Sequence, residues 1–301
     1  MKVLIAGATG LIGRHLVAAL LKRGDEVRFL TTHATKTESL DGAQGFYWDP
    51  KNHFCPEEAL EGVAAVINLA GTSVSLPWTK KRKHQILQSR LYTANTLKMA
   101  LKKVNQKVHY IGASGISGYA SSYSLNYTDQ DETLGSGFLA EVVRQWEQAT
   151  HQGHRQNVST TAVRTGLVLA ATGGVFPQII KPIKWGVGSV LGTGRQYQSW
   201  IHIDDLVRVY LWVIDQEFTG NINAVAPKSV TQEKMTQVLA QHLRRPLWLP
   251  AVPESILRLM LGERSALLLD SQWVIPEILV QANFTFKYSK IRLAIADLLS
   301  K

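Results

Sequence analysis

Val3-Leu4-Ile5-Ala6-Gly7-Ala8-Thr9-Gly10-Leu11-Ile12-Gly13 lies at the head of this chain of 301 residues, and the order of residue types within it decides the fold. An apolar run ends in glycines at 7, 10 and 13, and an amphipathic stretch follows as far as Lys22. That order predicts strand, tight turn and helix. Such a turn suits a pyrophosphate, because glycine lets backbone come close to the anion while free amides and the positive end of the next helix face it. Gly7 is expected to make the turn, Gly10 the close approach, and Gly13 the contact of helix with strand. Leu11, Ile12, Leu16, Val17, Leu20 and Leu21 form the apolar face of the helix, and Lys22-Arg23-Gly24 ends it with cations and a glycine. A chance glycine loop would lack this strand and helix on either side.

Outward from that turn, apolar segments at 2–6, 26–31, 45–48, 64–69, 108–113 and 160–169 alternate with helical patterns. Alternating strands and helices imply an α/β fold, a Rossmann-like doubly wound parallel sheet with its ligand at the carboxyl ends of the strands. Past residue 173 the alternation fades into glycine-rich loops and helices at 204–215, 232–243 and 254–261. The expected division is a cofactor-binding domain over 1–172 and a smaller mixed C-terminal lobe over 173–301, with part of 197–225 returning to the first domain.

The formal charge is +10, and Lys80-Lys81-Arg82-Lys83 concentrates four cations. These open a predicted helix over 78–103 whose Ile86, Leu87, Leu91, Leu97 and Leu101 face the core, so the lysines read as a solvated face. No nucleic-acid module accompanies the charge, and no specific nucleic acid is expected as partner. No stretch of eighteen apolar residues occurs. A cytoplasmic location and no membrane partner are therefore expected. The single cysteine, Cys55, has only His53 near it at ligand spacing, so no metal site is expected and the thiol reads as a surface or packed group.

Segments spread along the chain resemble the extended short-chain dehydrogenase/reductase superfamily: 7–13, Asn68-Leu69-Ala70-Gly71, Ser114 to Tyr119, Arg164-Thr165-Gly166, and Ser199-Trp200-Ile201-His202-Ile203-Asp204-Asp205. Trp48-Asp49-Pro50, Ser89-Arg90, Trp146-Glu147, Gly192 to Gln196, Ala226-Pro227, Leu261-Gly262-Glu263 and the stretch 267–299 narrow the resemblance. They are similar to an atypical epimerase branch with a C-terminal domain of unknown function. Ala120 and Asn283 depart from that branch, which usually has glycine at the first and Gly-Phe at the second. The resemblance implies cofactor contacts at Gly7, Thr9, Gly10, Leu11, Ile12, Gly13, Thr31, Thr32, Leu69, Ala70, Gly71, Arg90 and Arg164. Asp204 or Asp205 reads as the N-cap of the helix that follows, and His202 as a hydrogen-bonded structural residue.

NAD enzymes of this architecture place an acid after the second strand, where it binds the ribose hydroxyls and repels a 2′-phosphate. Here the chain reads Thr31-Thr32-His33 and then Lys36. NADP(H) is expected over NAD(H), with Thr32 in place of the branch's usual arginine and His33, Lys36 or Arg14 as substitutes. The superfamily's Tyr-x-x-x-Lys pair is missing: the expected helix at 137–150 offers Phe138 with Val142 or Leu139 with Val143, and Tyr47 to Lys51 spans Pro50. Ser114 and Tyr119 remain as candidate catalytic groups, the serine orienting a substrate oxygen and the phenol acting as acid or packing over the cofactor. Trp185, Trp200 and the 186–194 loop are a possible apolar wall, with Lys184 and Arg195 for an anionic group. Two functions fit: an NADP(H)-dependent oxidoreductase or epimerase-like enzyme acting on a small molecule, or a nucleotide-binding regulator without turnover. Oligomeric state stays open.

Overall fold

The computed structural model describes residues 1–300. Its central sheet has seven strands in the order β11-β7-β5-β4-β1-β2-β3. They are β1 Lys2–Ala6, β2 Glu26–Thr31, β3 Gln44–Tyr47, β4 Ala65–Asn68, β5 Val108–Gly115, β7 Val158–Thr165 and β11 Gly220–Ala224. Short strands β6 Asn126–Tyr127, β8 Leu167–Leu169, β9 Tyr197–Gln198, β10 Trp200–His202, β12 Val230–Thr231 and β13 Trp273–Val274 form three two-stranded pairs. Parallel pairing sets Ile5 beside Phe29 and Ile67, and Ile67 beside Ile111, so the central strands read as continuous apolar runs buried on both faces. The helices are α1 Leu11–Arg23, α2 Lys80–Leu101, α3 Phe138–His151, α4 Phe176–Lys184, α5 Ile203–Asp215, α6 Gln232–Leu243, α7 Glu254–Leu261, α8 Ala266–Leu269, α9 Glu277–Gln281 and α10 Ile291–Ser300.

Local chemistry sets the ends of these helices. Gly24 takes φ 86° and its N–H returns to the Leu20 and Leu21 carbonyls, stopping α1 where the sequence predicts. Thr79 accepts the Arg82 N–H at 3.2 Å and starts α2 at Lys80. Lys80 and Lys81 project into solvent, whereas Lys83 lies over the Phe138 ring and Arg82 donates to the Ser73 carbonyl, so the basic run serves its own helix end.

The chain divides into two compact units, one of 1–115, 137–164 and 207–222, the other of 116–136, 165–206 and 223–301. This differs from a division near residue 172. Segments that leave the carboxyl ends of β5 and β7 join the second unit, because β6 pairs with β13 and β8 with β10. The strand expected over 160–169 breaks at Gly166, where a Cβ would run into the Ser199 carbonyl. In the first unit Leu4, Leu30, Trp48, Val66, Leu97 and Tyr110 share one core. In the second, Phe176, Ile183, Trp200, Val238, Leu239 and Ile295 share another.

Two expectations fail within the second unit. Neither Asp204 nor Asp205 caps α5 from outside: the helix begins at Ile203, and His202 Nδ1 accepts the Asp204 N–H at 3.1 Å. Asp205 instead accepts the backbone N–H groups of Lys287 and Tyr288, each at 2.8 Å, which anchors the C-terminal segment. Because Nδ1 accepts, geometry assigns the proton of His202 to Nε2, 3.2 Å from Asp297. Trp200 is wholly buried and its indole donates to the Lys228 carbonyl, so it belongs to the core and forms no ligand wall.

Candidate cofactor and active site

The glycine turn has the geometry its spacing predicts. Gly7 sits at φ 84°, and a Cβ there would meet Ala70 N and Leu69 C at 2.9 Å. A Cβ on Gly13 would run into Gly7 O and lie 2.6 Å from Ala8 Cα, so only glycine lets α1 pack against the turn. Gly10 differs: a Cβ there would meet only Gly7 O, at 3.3 Å. The protein itself barely requires glycine at this position, which leaves open a cradle that an approaching ligand would fill. Gly10 is also the N-cap of α1 with no side-chain cap, and the first turn holds no acid, so the amides of Leu11, Ile12 and Gly13 lack a side-chain acceptor. Thr9 takes part through its carbonyl, which accepts Arg14 Nε at 2.9 Å. An anion fits this helix end on both geometric and electrostatic grounds.

Opposite Gly7 lies the turn after β4. Asn68 is fully buried, accepts the Ala70 N–H at 3.2 Å and donates to Tyr110 Oη at 3.0 Å and Thr93 at 3.3 Å. It holds Leu69, Ala70 and Gly71 in place. Burial pushes the Tyr110 phenol above its ordinary value, so it stays a neutral hydrogen-bonding group. Gly71 leaves space for Arg90, whose guanidinium lies 4.7 Å over the Trp146 ring and donates to the Thr72 and Ile86 carbonyls at 3.1 and 2.8 Å. Withdrawal from water pushes Arg90 down to about 10, and its Nε is buried with no partner in the protein. A cation left with an open donor beside a glycine turn is suited to a ligand oxygen. At the end of β2, Thr31 accepts the His33 N–H at 3.2 Å, while Thr32, His33 and Lys36 are exposed. The first acid after β2 is Glu38.

Ser114, on β5, does not face an acid–base pair. Its Oγ donates to Glu147 Oε1 at 2.6 Å, and Arg164 grips the same carboxylate with Nε at 2.8 Å and Nη2 at 2.9 Å. All three groups are buried. Gly112 makes this possible, because a Cβ there would run into Thr150 Oγ1; its absence brings α3 close to β5. Arg164, expected at the cofactor, pairs with Glu147. With its proton given to the carboxylate, Ser114 offers a ligand its lone pairs as an acceptor. Glu147 as the partner of Ser114 was not foreseen from the sequence. The signal was present: residues 140, 143, 147 and 150 share one face of α3, all buried, and Glu147 is the only charged group among them.

Tyr119 lies in the second unit. It is 1% exposed and stacks on Tyr127 at 5.0 Å, with its hydroxyl 2.8 Å from the Thr128 carbonyl and 2.9 Å from Asn223 Oδ1. Asp129 beside it accepts the Asn223 and Ile278 amides. Phenylalanine at 119 is expected to lower stability by about 1 kcal/mol through the lost hydrogen bond, read as a shifted urea midpoint with unchanged slope. A change beyond about 3 kcal/mol would contradict a purely local role. On α3, Phe138 packs edge-on to Trp78 and Val142 and Val143 are buried, so no tyrosine–lysine pair stands there. Cys55 is half-buried, and burial pushes its thiol up to about 12, which leaves it unreactive at neutral pH.

The NAD dependent epimerase/dehydratase family profile matches residues 3–225, and a domain of unknown function, DUF1731, matches 252–298. The chain belongs to the NAD-dependent epimerase/dehydratase family. Among its members, the epimerase family protein YfhF of Bacillus subtilis is 31% identical over 100% of this chain and 98% of its own length. The epimerase family protein SSP1921 of Staphylococcus saprophyticus is 36% identical over 98% of each. The human epimerase family protein SDR39U1, solved with NADPH, superposes with a TM-score of 0.89 at 26% identity, covering 100% of both chains. A nucleoside-diphosphate sugar epimerase from Corynebacterium glutamicum superposes at 0.78 with 31% identity, over 99% of this chain and 58% of that one. The family depends on a nicotinamide dinucleotide, and the glycine turn, the uncapped α1 terminus and the open donor of Arg90 are groups whose chemistry suits one.

Proposed function

We infer that this chain is an NADP(H)-dependent oxidoreductase or epimerase-like enzyme acting on a small molecule. The observation that carries the reading is the uncapped first turn of α1 beside Gly10, at a position where the protein alone leaves room for a Cβ. Gly7, Thr9, Gly10, Leu11, Ile12 and Gly13 would hold the pyrophosphate, with Leu69, Ala70 and Gly71 lining the opposite side and Arg90 donating to it. Thr31 and Thr32 leave the ribose end without a carboxylate, and exposed His33, Lys36 and Arg14 favour a 2′-phosphate there. The human relative solved with NADPH supports the same choice. When bound, the nicotinamide supplies a hydride donor or acceptor. Ser114, fixed by Glu147 and Arg164, would orient a hydrogen-bond donor of the substrate, and Tyr119 is assigned to holding its own loop.

Fluorescence titration with NADPH and with NADH, using energy transfer from tryptophan, tests this. NADPH is expected to bind at least about tenfold more tightly, a difference near 1.4 kcal/mol. Equal affinities would remove the NADP preference, and no binding of either would remove the enzyme reading. A second reading, a nucleotide-binding regulator without turnover, is favoured by the buried Tyr119 hydroxyl and by the apolar residues of α3 where Tyr and Lys are usual. It predicts cofactor binding without oxidation or reduction by any carbonyl or alcohol, and a partner affinity that follows the redox state of the cofactor.

A further inference from the structure

The sequence contains no Asp or Glu between Glu147 and Asp204, and none between Glu233 and Glu254. The second unit brings parts of these two acid-free segments together. Trp248 donates its indole N–H to the Gly186 carbonyl at 3.0 Å, Ser189 donates to the Pro250 carbonyl, and Val252 N–H reaches Val190 O at 2.8 Å. The Trp248 indole is thereby held at the residue that follows Trp185, and both tryptophans face solvent, Trp185 being 71% and Trp248 67% exposed. Soluble surfaces seldom display paired indoles, and here one of them is held in place by its own hydrogen bond.

Cations lie close along the chain to both indoles. Lys181 lies over the Trp185 ring at 4.8 Å, Lys184 follows on the last turn of α4, and Arg244 and Arg245 end α6. All four are exposed, and among the described residues none has a carboxylate within salt-bridge distance. Indoles prefer the boundary between lipid headgroups and acyl chains, and unpaired Lys and Arg are drawn to anionic headgroups. Exposed Val187, an aliphatic group that cannot stack on a base, adds insertion area and sets this surface apart from a single-strand nucleic-acid platform.

We propose that this face of the second unit docks reversibly on an anionic lipid bilayer, with Trp185 and Trp248 at the interface and Lys181, Lys184, Arg244 and Arg245 against the headgroups. It departs from the expectation of no membrane partner, which rested on the lack of a spanning segment. No described helix is long and apolar enough to cross a bilayer, and a docking face needs none.

Co-sedimentation of the full chain with phosphatidylcholine vesicles, with and without phosphatidylglycerol, tests the proposal. Binding is expected only to the anionic vesicles and is expected to fall at least about tenfold in high salt, because the headgroup attraction is screened. Trp185→Ser with Trp248→Ser, and separately the charge set Lys181→Gln, Lys184→Gln, Arg244→Gln and Arg245→Gln, should each reduce the bound fraction at least about fivefold. Leu259→Gln on α7, 87% exposed in the parent, should leave it unchanged and controls for general loss of surface apolarity. Both variant sets change exposed side chains, and an unaltered circular dichroism spectrum shows that they are folded. Failure to bind anionic vesicles, or binding that neither set alters, overturns the proposal. So does an outcome without vesicle binding in which the tryptophan variant loses a dimer or the charge variant loses RNA, either of which gives the face to that partner.

Discussion

Alanine at Gly13 is expected to abolish NADPH binding and to destabilise the chain by about 3 kcal/mol or more, the upper range for overpacking against atoms that cannot move. The three atoms nearest the added Cβ are all backbone, namely Gly7 O and the Cα and C of Ala8, and none of them can swing aside. Relief requires α1 to separate from β1, and Leu16, Val17 and Leu20 would leave their buried sites with it. Alanine at Gly10 should behave otherwise. Its Cβ has a single close neighbour, and alanine at an N-cap typically costs about 1 kcal/mol relative to glycine. NADPH affinity is nonetheless expected to fall at least about tenfold, since the methyl group occupies the approach a pyrophosphate needs. Denaturant midpoints and NADPH titrations on both variants separate the two roles. A Gly10→Ala protein that binds NADPH as tightly as the parent would show that the dinucleotide does not lie at this turn.

Replacing Arg164 with methionine is expected to cost about 3–5 kcal/mol, because it leaves the Glu147 carboxylate buried with only Ser114 to donate to it. For a chain of this size the thermal midpoint should drop on the order of 10 °C. Adding Glu147→Gln should recover at least about half of the loss, since the amide removes the uncompensated charge that makes the single variant costly. Glu147→Gln alone changes Ser114 as well. The amide can present its N–H to the serine oxygen, freeing the serine hydroxyl to donate outward and reversing the polarity of the group a ligand meets. Thermal melts of the two single variants and the double variant give the coupling directly. Additive losses would mean that the ion pair seen at 2.8 Å contributes no mutual stabilisation.

Much of this molecule was legible in its residues. The strand, glycine turn and helix at the head of the chain, the parallel order of apolar strands, the C-cap at Gly24 and the missing carboxylate after β2 are written in neighbouring positions. Periodicity and backbone preference act over a few residues. The same is true of α3, whose lack of a tyrosine–lysine pair follows from counting along one helical turn. Tertiary structure decided where polar groups send their hydrogen bonds. Ser114 meets Glu147 across 33 positions and Arg164 meets it across 17, a buried cluster whose partners no local pattern announces. Tyr119 and Asn223 are 104 positions apart, and their meeting gives the candidate phenol a buried hydrogen-bond partner. Trp200 and Trp185 both stand among mixed polar and apolar neighbours along the chain, yet one fills a core and the other faces water. Local sequence determines which backbone conformation is cheap; which side chains are buried, and which donor finds which acceptor, depends on contacts between distant segments that exist only once the chain has folded.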